Sequence, residues 1–401
     1  MKWIGRDKFR IGKQGATTDA SLGVSGHNMK LIFNRALGKI QYTNNGVSIV
    51  DMGTSVTLSL TKVDSESPAF TKTGHSTISV KAGTALLVNG TPISFAVDTA
   101  VIMPTLVPGT DYAIYFCDDG TVRASDNWSA PAGYTTTNST KAGGFHFGLI
   151  STTETVASGS FATTGNGMIW TQADVDKIKG INQFSIWDLK FRPKARDPRG
   201  MVLVAGQFWT DIYLTGTNHE VNGTSKYNSD VASGTVLPKI PTEYGGNGTA
   251  TYANGSWYTF NEIARSHGKR FLRNSEFIVA AFGVTENQSL GGAASTITAT
   301  GRQAGYTSKY GIEQATGHHW TWGEDSSYQH TGTLTAAEYD VNGGRGKLYL
   351  RTSEGLVNVL LGGTRSAAAA SGSRASSWTT IPWYSVWSVG LRAACDHLKL
   401  S

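Results

Sequence analysis

Short runs of alternating apolar and polar residues, each ending in a turn that contains glycine, recur along the first part of the chain. Residues 85–88 lead into an Asn-Gly pair at 89–90, and residues 112–117 lead into an Asp-Asp-Gly turn at 118–120. Alternation with a period of two places successive side chains on opposite faces of a strand, and Asn-Gly or Asp-Gly pairs favour hairpin turns. Turns that recur about every ten residues are typical of a β-sandwich. We therefore predict a sandwich at residues 51–168.

The composition agrees with mainly β structure and narrows the class of partner. Glycine accounts for 48 of the 401 residues and charged residues for only 16%, a balance that favours short strands and tight turns over long helices. The formal net charge of +6 is scattered along the chain and forms no basic stripe, which argues against nucleic-acid binding. The longest apolar stretch, at residues 277–284, is far too short to cross a membrane. We expect a protein that is made in the cytoplasm without insertion into a membrane.

The length of the chain allows two or three domains. Residues 1–50 hold strand-sized pieces that are too few to close a core alone, so we expect this element to associate with copies of itself. A segment rich in Ser, Thr and Gly at 157–167 is the best linker candidate. It places a domain boundary near residues 168–172.

The sequence predicts helices only in the C-terminal part of the chain. Apolar residues recur at helical spacing ahead of Gly268 and again ahead of Gly283. Glycine often ends a helix in the left-handed conformation. We therefore predict helices at 257–267 and 275–282 that pack on a sheet, and an α+β domain at 169–401.

Several motifs resemble those of one known family. They are, in chain order, Gly109-Thr110-Asp111-Tyr112, Asp197-Pro198-Arg199-Gly200-Met201, Phe208-Trp209-Thr210-Asp211, Gly223-Thr224-Ser225-Lys226-Tyr227, His319-Trp320-Thr321-Trp322-Gly323, Gly390-Leu391-Arg392 and Cys395-Asp396-His397-Leu398. In this order they resemble the major tropism determinant family of phage receptor-binding proteins, which have a C-type lectin fold of the formylglycine-generating-enzyme type. The resemblance covers residues 55–401.

This resemblance implies an intertwined homotrimer with three domains in each chain. These are a β-prism-like element for trimerisation and virion attachment at 1–50, the β-sandwich at 51–168, and a C-type lectin-like domain at 169–401. It also implies a place at the tip of a phage tail fibre, beside other tail-fibre proteins, where the chain binds a protein or glycan receptor on a bacterial host. The lectin name describes a fold and does not by itself imply sugar binding.

The same resemblance implies a variable segment at residues 362–392, in which a diversity-generating retroelement replaces adenines of the coding template. Alignment of Gly362-Gly363 and Gly390 with the family frame marks twelve receptor-binding positions. They are Thr364, Ser366, Ala367, Ala368, Ala370, Ser377, Thr379, Thr380, Tyr384, Val386, Ser388 and Val389. None is Trp, Met, Lys, Glu or Gln, the residue types that codons with two randomised positions and a final pyrimidine cannot encode.

Residues 383–388 alternate in a way that predicts one strand with two different faces. Tyr384, Val386 and Ser388 would then meet the receptor, whereas Trp383, Ser385 and Trp387 would pack inward.

Two other functions compete with this interpretation. One is a lectin-like protein that a cell or prophage displays for ligand binding, and the other is an oxidase. Oxidases of the formylglycine-generating type act through two nearby cysteines, whereas Cys395 has no partner in its domain and Cys117 lies in the sandwich. We therefore predict a binding protein and not an enzyme.

The sequence indicates no certain cofactor. His318 and His319 are adjacent, so on a strand they face opposite ways and do not share a metal. Trp320 and Trp322 are predicted to fill the core. Glu324 and Asp325 offer the oxygen ligands that calcium prefers, with a solvated acidic loop as the alternative.

Overall fold

The computed structural model of the chain describes residues 11–14, 30–34, 39–43, 50–51, 60–162, 170–291, 298–329, 337–340, 343–350 and 354–400. The chain divides into two compact units, Met1–Thr61 and Lys62–Ser401. In the described residues, no helix combines the length and the apolar character that a membrane span needs.

The N-terminal unit contains one sheet of short strands. The strands follow the order β1 (Ile11–Gln14), β2 (Lys30–Asn34), β3 (Lys39–Thr43) and β4 (Val50–Asp51). β1 and β2 run parallel, whereas the other two pairs are antiparallel. The predicted strand-sized pieces are therefore present, and their role in association stays a prediction.

The next part of the chain is built from antiparallel strands. They are β5 (Phe70–Gly74), β6 (Thr77–Val80), β7 (Thr84–Val88), β8 (Thr91–Phe95), β9 (Thr99–Ala100), β10 (Thr110–Cys117), β11 (Val122–Ser125) and β12 (Ser139–Phe147). The predicted hairpin is confirmed as β10 and β11, and Gly120 takes the positive φ of 83° that its turn requires. Phe116 of β10 packs edge-to-face on Phe95 of β8, with ring centroids 5.1 Å apart.

Four α-helices occur in the described residues of the C-terminal part. They are α1 (Gln172–Ile178), α2 (His219–Asn222), α3 (Trp257–Ser266) and α4 (Asn274–Ala280). The two predicted helices are confirmed as α3 and α4. α4 ends two residues earlier than predicted, because the chain turns at Ala281 before Gly283 takes a positive φ of 102°.

Two sheets complete this part of the molecule. The first has the order β14 (Phe191–Pro193), β24 (Ala393–Lys399), β16 (Phe208–Asp211) and β15 (Met201–Val204), with β17 (Arg270–Phe271) also paired to β24. The second has the order β19 (Ala337–Tyr339), β20 (Leu348–Leu350), β22 (Ser376–Thr380), β21 (Gly355–Leu361), β18 (Trp320–Gln329) and β23 (Val389–Gly390).

Side chains on both faces of strand β21 are buried in the core. Val359 and Leu361 belong to a buried cluster with Phe277 of α4, whereas Leu360 belongs to a second cluster with Phe260 of α3 and Trp322 of β18. Successive side chains of a strand point to opposite faces. The two helices therefore cover opposite faces of the second sheet.

The predicted boundary near 168–172 lies inside the second compact unit. β13 (Trp187–Asp188) follows this boundary, yet it pairs with β12 through Gly143 and Gly144. A Cβ atom on Gly143 would lie 2.3 Å from the carbonyl oxygen of Trp187, so this pairing needs glycine. Strands from both sides of the predicted boundary thus share a sheet, and the sandwich and the division into three domains stay predictions.

Candidate functional site

The candidate site is the outer segment, defined as residues 364–389. Gly362 and Gly363, which have φ values of 94° and 87°, connect the buried strand β21 to the start of this segment. A Cβ atom on Gly363 would lie 2.7 Å from the Cα atom of Ser371. The glycine pair therefore lets the chain fold back on itself where side chains would collide.

A buried carboxylate anchors the first loop of the outer segment. Glu286 accepts hydrogen bonds from the backbone nitrogen and the hydroxyl of Ser373, at 2.8 and 2.5 Å. Arg345 donates to the same hydroxyl from Nε at 2.8 Å. Burial raises the pKa of Glu286 above its ordinary value. The base of the loop is fixed in this way, while its tip at Ser366 and Ala368 is exposed.

β22 is the second part of the outer segment, and it lies inside the sheet. Ser377 is opposite Leu360, and Thr380 is opposite Asn358 of β21. The other edge of β22 pairs with β20. Ser377 and Thr380 are consequently buried.

Residues 381–388 form no strand, so the predicted alternation there is wrong. The side chain of Trp383 is 61% exposed, although it was expected to pack inward, and that of Tyr384 is 45% exposed. Pro382 has no N–H to give to a sheet ladder, and the amide of Tyr384 bonds back to the carbonyl oxygen of Ile381 at 3.1 Å. The chain therefore turns and presents two consecutive aromatic residues to solvent.

Backbone contacts hold this turn on two neighbouring elements. The amide of Trp257, at the start of α3, donates to the carbonyl oxygen of Pro382 at 2.9 Å, and the amide of Gly234 donates to that of Val386 at 3.0 Å. The Ser385 hydroxyl donates to the carbonyl oxygen of Gly234 at 3.0 Å and accepts from the amide of Gly255 at 2.9 Å. The exposed aromatic residues thus stand on a support made by distant parts of the sequence.

The twelve predicted positions divide by exposure. Three are exposed and four are half-buried, namely Ser366, Ala368 and Tyr384, then Ala367, Thr379, Val386 and Ser388. Five are buried in this chain, namely Thr364, Ala370, Ser377, Thr380 and Val389. The segment therefore brings seven of the twelve to the surface together with Trp383, which the sequence reasoning assigned to the wrong face. The proline before Trp383 was the available signal.

Arg392 anchors the chain just after the outer segment, and sequence reasoning gave it no structural role. Its guanidinium is fully buried and donates to the carbonyl oxygens of Asp211, Ile212, Glu313 and Gln314, at 2.9, 2.6, 2.6 and 3.1 Å. Burial lowers the pKa of Arg392 to about 10, which leaves it charged at neutral pH. Five N–H groups in a rigid fork suit arginine to this task.

Glu324 and Asp325, the acidic pair considered for calcium, make ion pairs and hydrogen bonds with other residues. Glu324 accepts a hydrogen bond from Arg273 Nε at 3.1 Å and lies 3.7 Å from Arg270. Asp325 accepts from the amide of Asn274, at the start of α4, at 2.6 Å. The two carboxylates therefore hold α4 and its neighbours through ion pairs and a helix-end contact.

The prediction that His318 and His319 face opposite ways is wrong. Their Nδ1 atoms lie 2.6 Å apart, and the ring centroids are 4.5 Å apart. The pair precedes β18, which begins at Trp320, so strand alternation does not apply. Of the two tryptophans that follow, Trp322 is fully buried and Trp320 is half-buried.

Both cysteines are buried and free. Burial raises the pKa of the Cys395 thiol to about 12 and also raises that of Cys117. A thiol with a raised pKa is a poor nucleophile at neutral pH. The geometry of the two cysteines favours a packing role.

Comparisons with known proteins agree on one family. Residues 68–171 match the family model described as the Mtd second domain. The tail fiber receptor-binding protein of Bordetella phage BPP-1 is 46% identical over 346 residues, which are 84% of this chain and 84% of that protein. The solved structures of the I1 and P3c variants of the major tropism determinant are 40% identical and have TM-scores of 0.74 and 0.73. Each covers 98% of this chain and 100% of its own.

Proposed function

The chain belongs to the major tropism determinant family, and from this premise we propose that it acts in a phage tail fibre and binds a receptor on the surface of a bacterial host. The chain is similar over most of its length to a tail-fibre receptor-binding protein, and that similarity supports both the activity and the place in the virion. The relatives are described by receptor binding and tropism, which favours a binding protein over an enzyme.

We propose that the accessible part of the outer segment makes the contact with the receptor. The observation that carries this proposal is the exposed pair Trp383 and Tyr384, at 61% and 45% exposure, on a turn fixed by backbone hydrogen bonds. Large exposed aromatic side chains contribute most to binding energy at protein interfaces. Tyr384 is one of the seven accessible predicted positions, and the other six lie before and after the pair in sequence.

The rigid support under the pair matters for affinity. A binding surface that is ordered before contact loses less conformational entropy on association than a mobile loop does. The small side chains at Ser366, Ala367 and Ala368 bury little area themselves. They leave room for exchange by other residue types, which is the property that a diversified surface needs.

We propose further that the chain assembles as a homotrimer through its N-terminal unit. Small side chains and two aromatic residues give modest affinity per copy, and three linked copies raise the apparent affinity through effective concentration. The short strands of the N-terminal sheet support this role, since four such strands make a small core.

The test compares two tyrosines of equal exposure. Tyr384 and Tyr244 are both 45% exposed, but only Tyr384 lies in the outer segment. We expect Tyr384→Ala to weaken binding of the purified protein to host cells by about 10-fold to 100-fold, as loss of an interface aromatic does. Tyr244→Ala serves as the matched control and should bind like the wild type.

The measurement is a cell-binding isotherm with fluorescently labelled protein, beside thermal melts of all three forms. Equal binding by Tyr384→Ala and the wild type would contradict the assignment of the receptor surface. Equal losses in both tyrosine variants would contradict it as well, because the effect would then not be specific to the outer segment.

A further inference from the structure

Two histidines from separate elements meet away from the outer segment. His219 begins the short helix α2, and His267 is the C-cap residue that directly follows α3. His219 Nδ1 and His267 Nε2 lie 3.1 Å apart, with the rings nearly perpendicular at 78°. His219 is buried and His267 is half-buried. The approach is thus a tertiary contact between two parts of the fold.

A backbone carbonyl fixes the tautomer of His219. Its Nε2 lies 2.8 Å from the carbonyl oxygen of Lys239. A carbonyl oxygen only accepts hydrogen bonds, so Nε2 carries the proton and the lone pair is on Nδ1, the atom that faces His267. A histidine that binds a metal through one nitrogen and donates from the other to a carbonyl is the usual arrangement in metal sites.

A carboxylate lies beside the two rings. Glu220 follows His219 directly, and one ligand atom from each of the three residues lies within 4.8 Å of the others. Glu220 Oε2 accepts from the hydroxyl of Thr242 at 2.9 Å, which orients the carboxylate. Two imidazole rings and one carboxylate are therefore within reach of a single ion.

Burial favours the neutral form of both rings. Burial lowers the pKa of His267 to about 4, with the charge of Lys269 as the next cause. Burial also lowers the pKa of His219. A neutral imidazole is the form that binds a metal.

We propose that His219 Nδ1, His267 Nε2 and the carboxylate of Glu220 bind a zinc ion. Two nitrogens bound to one tetrahedral zinc lie about 3.3 Å apart, close to the 3.1 Å between these two atoms. Two histidines and one carboxylate are a ligand set that zinc uses in proteins, with water or another oxygen in the fourth position. In this chain the ion would join α2 to the end of α3.

The place of the site indicates a structural role. The start of α3 bonds to Pro382 of the outer segment, and the end of α3 carries His267. A metal bond at this end would hold the helix that supports the exposed aromatic residues. This role does not depend on which receptor the protein binds.

The experiment uses the full chain after removal of metal with a chelator. Isothermal titration with zinc chloride should give one ion per chain. His267→Gln should weaken zinc binding by about 100-fold or more and Glu220→Gln by about 10-fold or more. His75→Gln is the control, since His75 is a half-buried histidine outside the cluster, and it should bind zinc like the wild type.

A second readout separates ligand loss from misfolding. Cobalt bound in place of zinc should give the visible absorption of a tetrahedral site in the wild type and in His75→Gln, and none in His267→Gln. Glu220→Gln keeps an oxygen that can accept from Thr242, so its metal-free melting curve should match that of the wild type. Absence of stoichiometric zinc binding by the wild type, or equal binding by His267→Gln, would overturn the proposal and leave a plain hydrogen bond between the histidines.

Discussion

At the scale of single residues, Glu313 shows how burial changes the behaviour of a charge. Its side chain is fully buried and accepts a hydrogen bond from the Thr307 hydroxyl at 2.6 Å, while its backbone carbonyl accepts from Arg392. Burial raises the pKa of Glu313 from its ordinary value of 4.5 to about 7. The folded protein therefore holds this proton more strongly than the unfolded chain does.

This shift predicts a loss of stability as the pH rises. Between the unfolded pKa of 4.5 and the folded pKa of about 7, the folded state binds more protons at Glu313, so the free energy of unfolding falls as the pH rises through that window. Glu313→Gln keeps a neutral acceptor for Thr307 and removes this decrease in the free energy of unfolding. We expect the difference between the variant and the wild type to grow by about 3 kcal/mol across the window.

Denaturant unfolding followed by tryptophan fluorescence at about pH 5 and about pH 8 measures this difference. The exposed residue Glu243 supplies a control, because Glu243→Gln should leave the pH dependence of the wild type in place. A wild type and a Glu313→Gln variant whose stabilities run parallel across the window would show that Glu313 ionises normally in the folded state.

At the scale of elements, the sequence predicted the structures that depend on local signals. The Asp-Gly hairpin and helices α3 and α4 were predictable because turn residues and helical spacing act within a few neighbours. For the turn at 381–388 the one local signal was Pro382, and the position of the turn depends on backbone bonds to Gly234 and Trp257, far away in sequence. Burial of the candidate positions Ser377 and Thr380 has the same cause, since β22 lies between β20 and β21, which are distant in sequence from the signals that a local pattern contains.

The contact between Gly234 and the outer segment makes a prediction for this element. A Cβ atom on Gly234 would lie 2.1 Å from the amide nitrogen of Val386 and 2.5 Å from its carbonyl oxygen. Neither backbone atom can move unless the outer segment moves with it. We expect Gly234→Ala to lower the free energy of unfolding by about 1–3 kcal/mol and to weaken cell binding.

Gly301→Ala is the control for that change. Its added Cβ atom would meet only the ring of Tyr227, at an ordinary 3.7 Å. Unfolding curves and cell-binding isotherms of the two alanine variants should therefore differ. If Gly234→Ala keeps full stability and full binding, the turn tolerates displacement and its rigid support is unimportant.

At the scale of the whole molecule, the solved relatives match nearly the full chain, and the sequence motifs had pointed to the same family. The sequence alone does not determine the oligomeric state of the chain. The N-terminal sheet has β1 and β4 at its edges among the described strands, and unpaired edges favour association.

We expect the purified chain to sediment as a particle of three chains at micromolar concentration. Three receptor surfaces on one particle should slow its release from a cell that displays many receptors. Sedimentation equilibrium measures the mass directly. A single-chain mass across the whole concentration range would rule out the homotrimer.

The strand β24 has a consequence for how the protein is made. It pairs with β14, β16 and β17, so the first sheet of the C-terminal part is incomplete until residues 393–399 have left the ribosome. A frameshift or a stop codon at any earlier position removes β24, and the faulty chain then cannot complete this sheet. We expect such products to be degraded by proteases instead of competing for places in the virion.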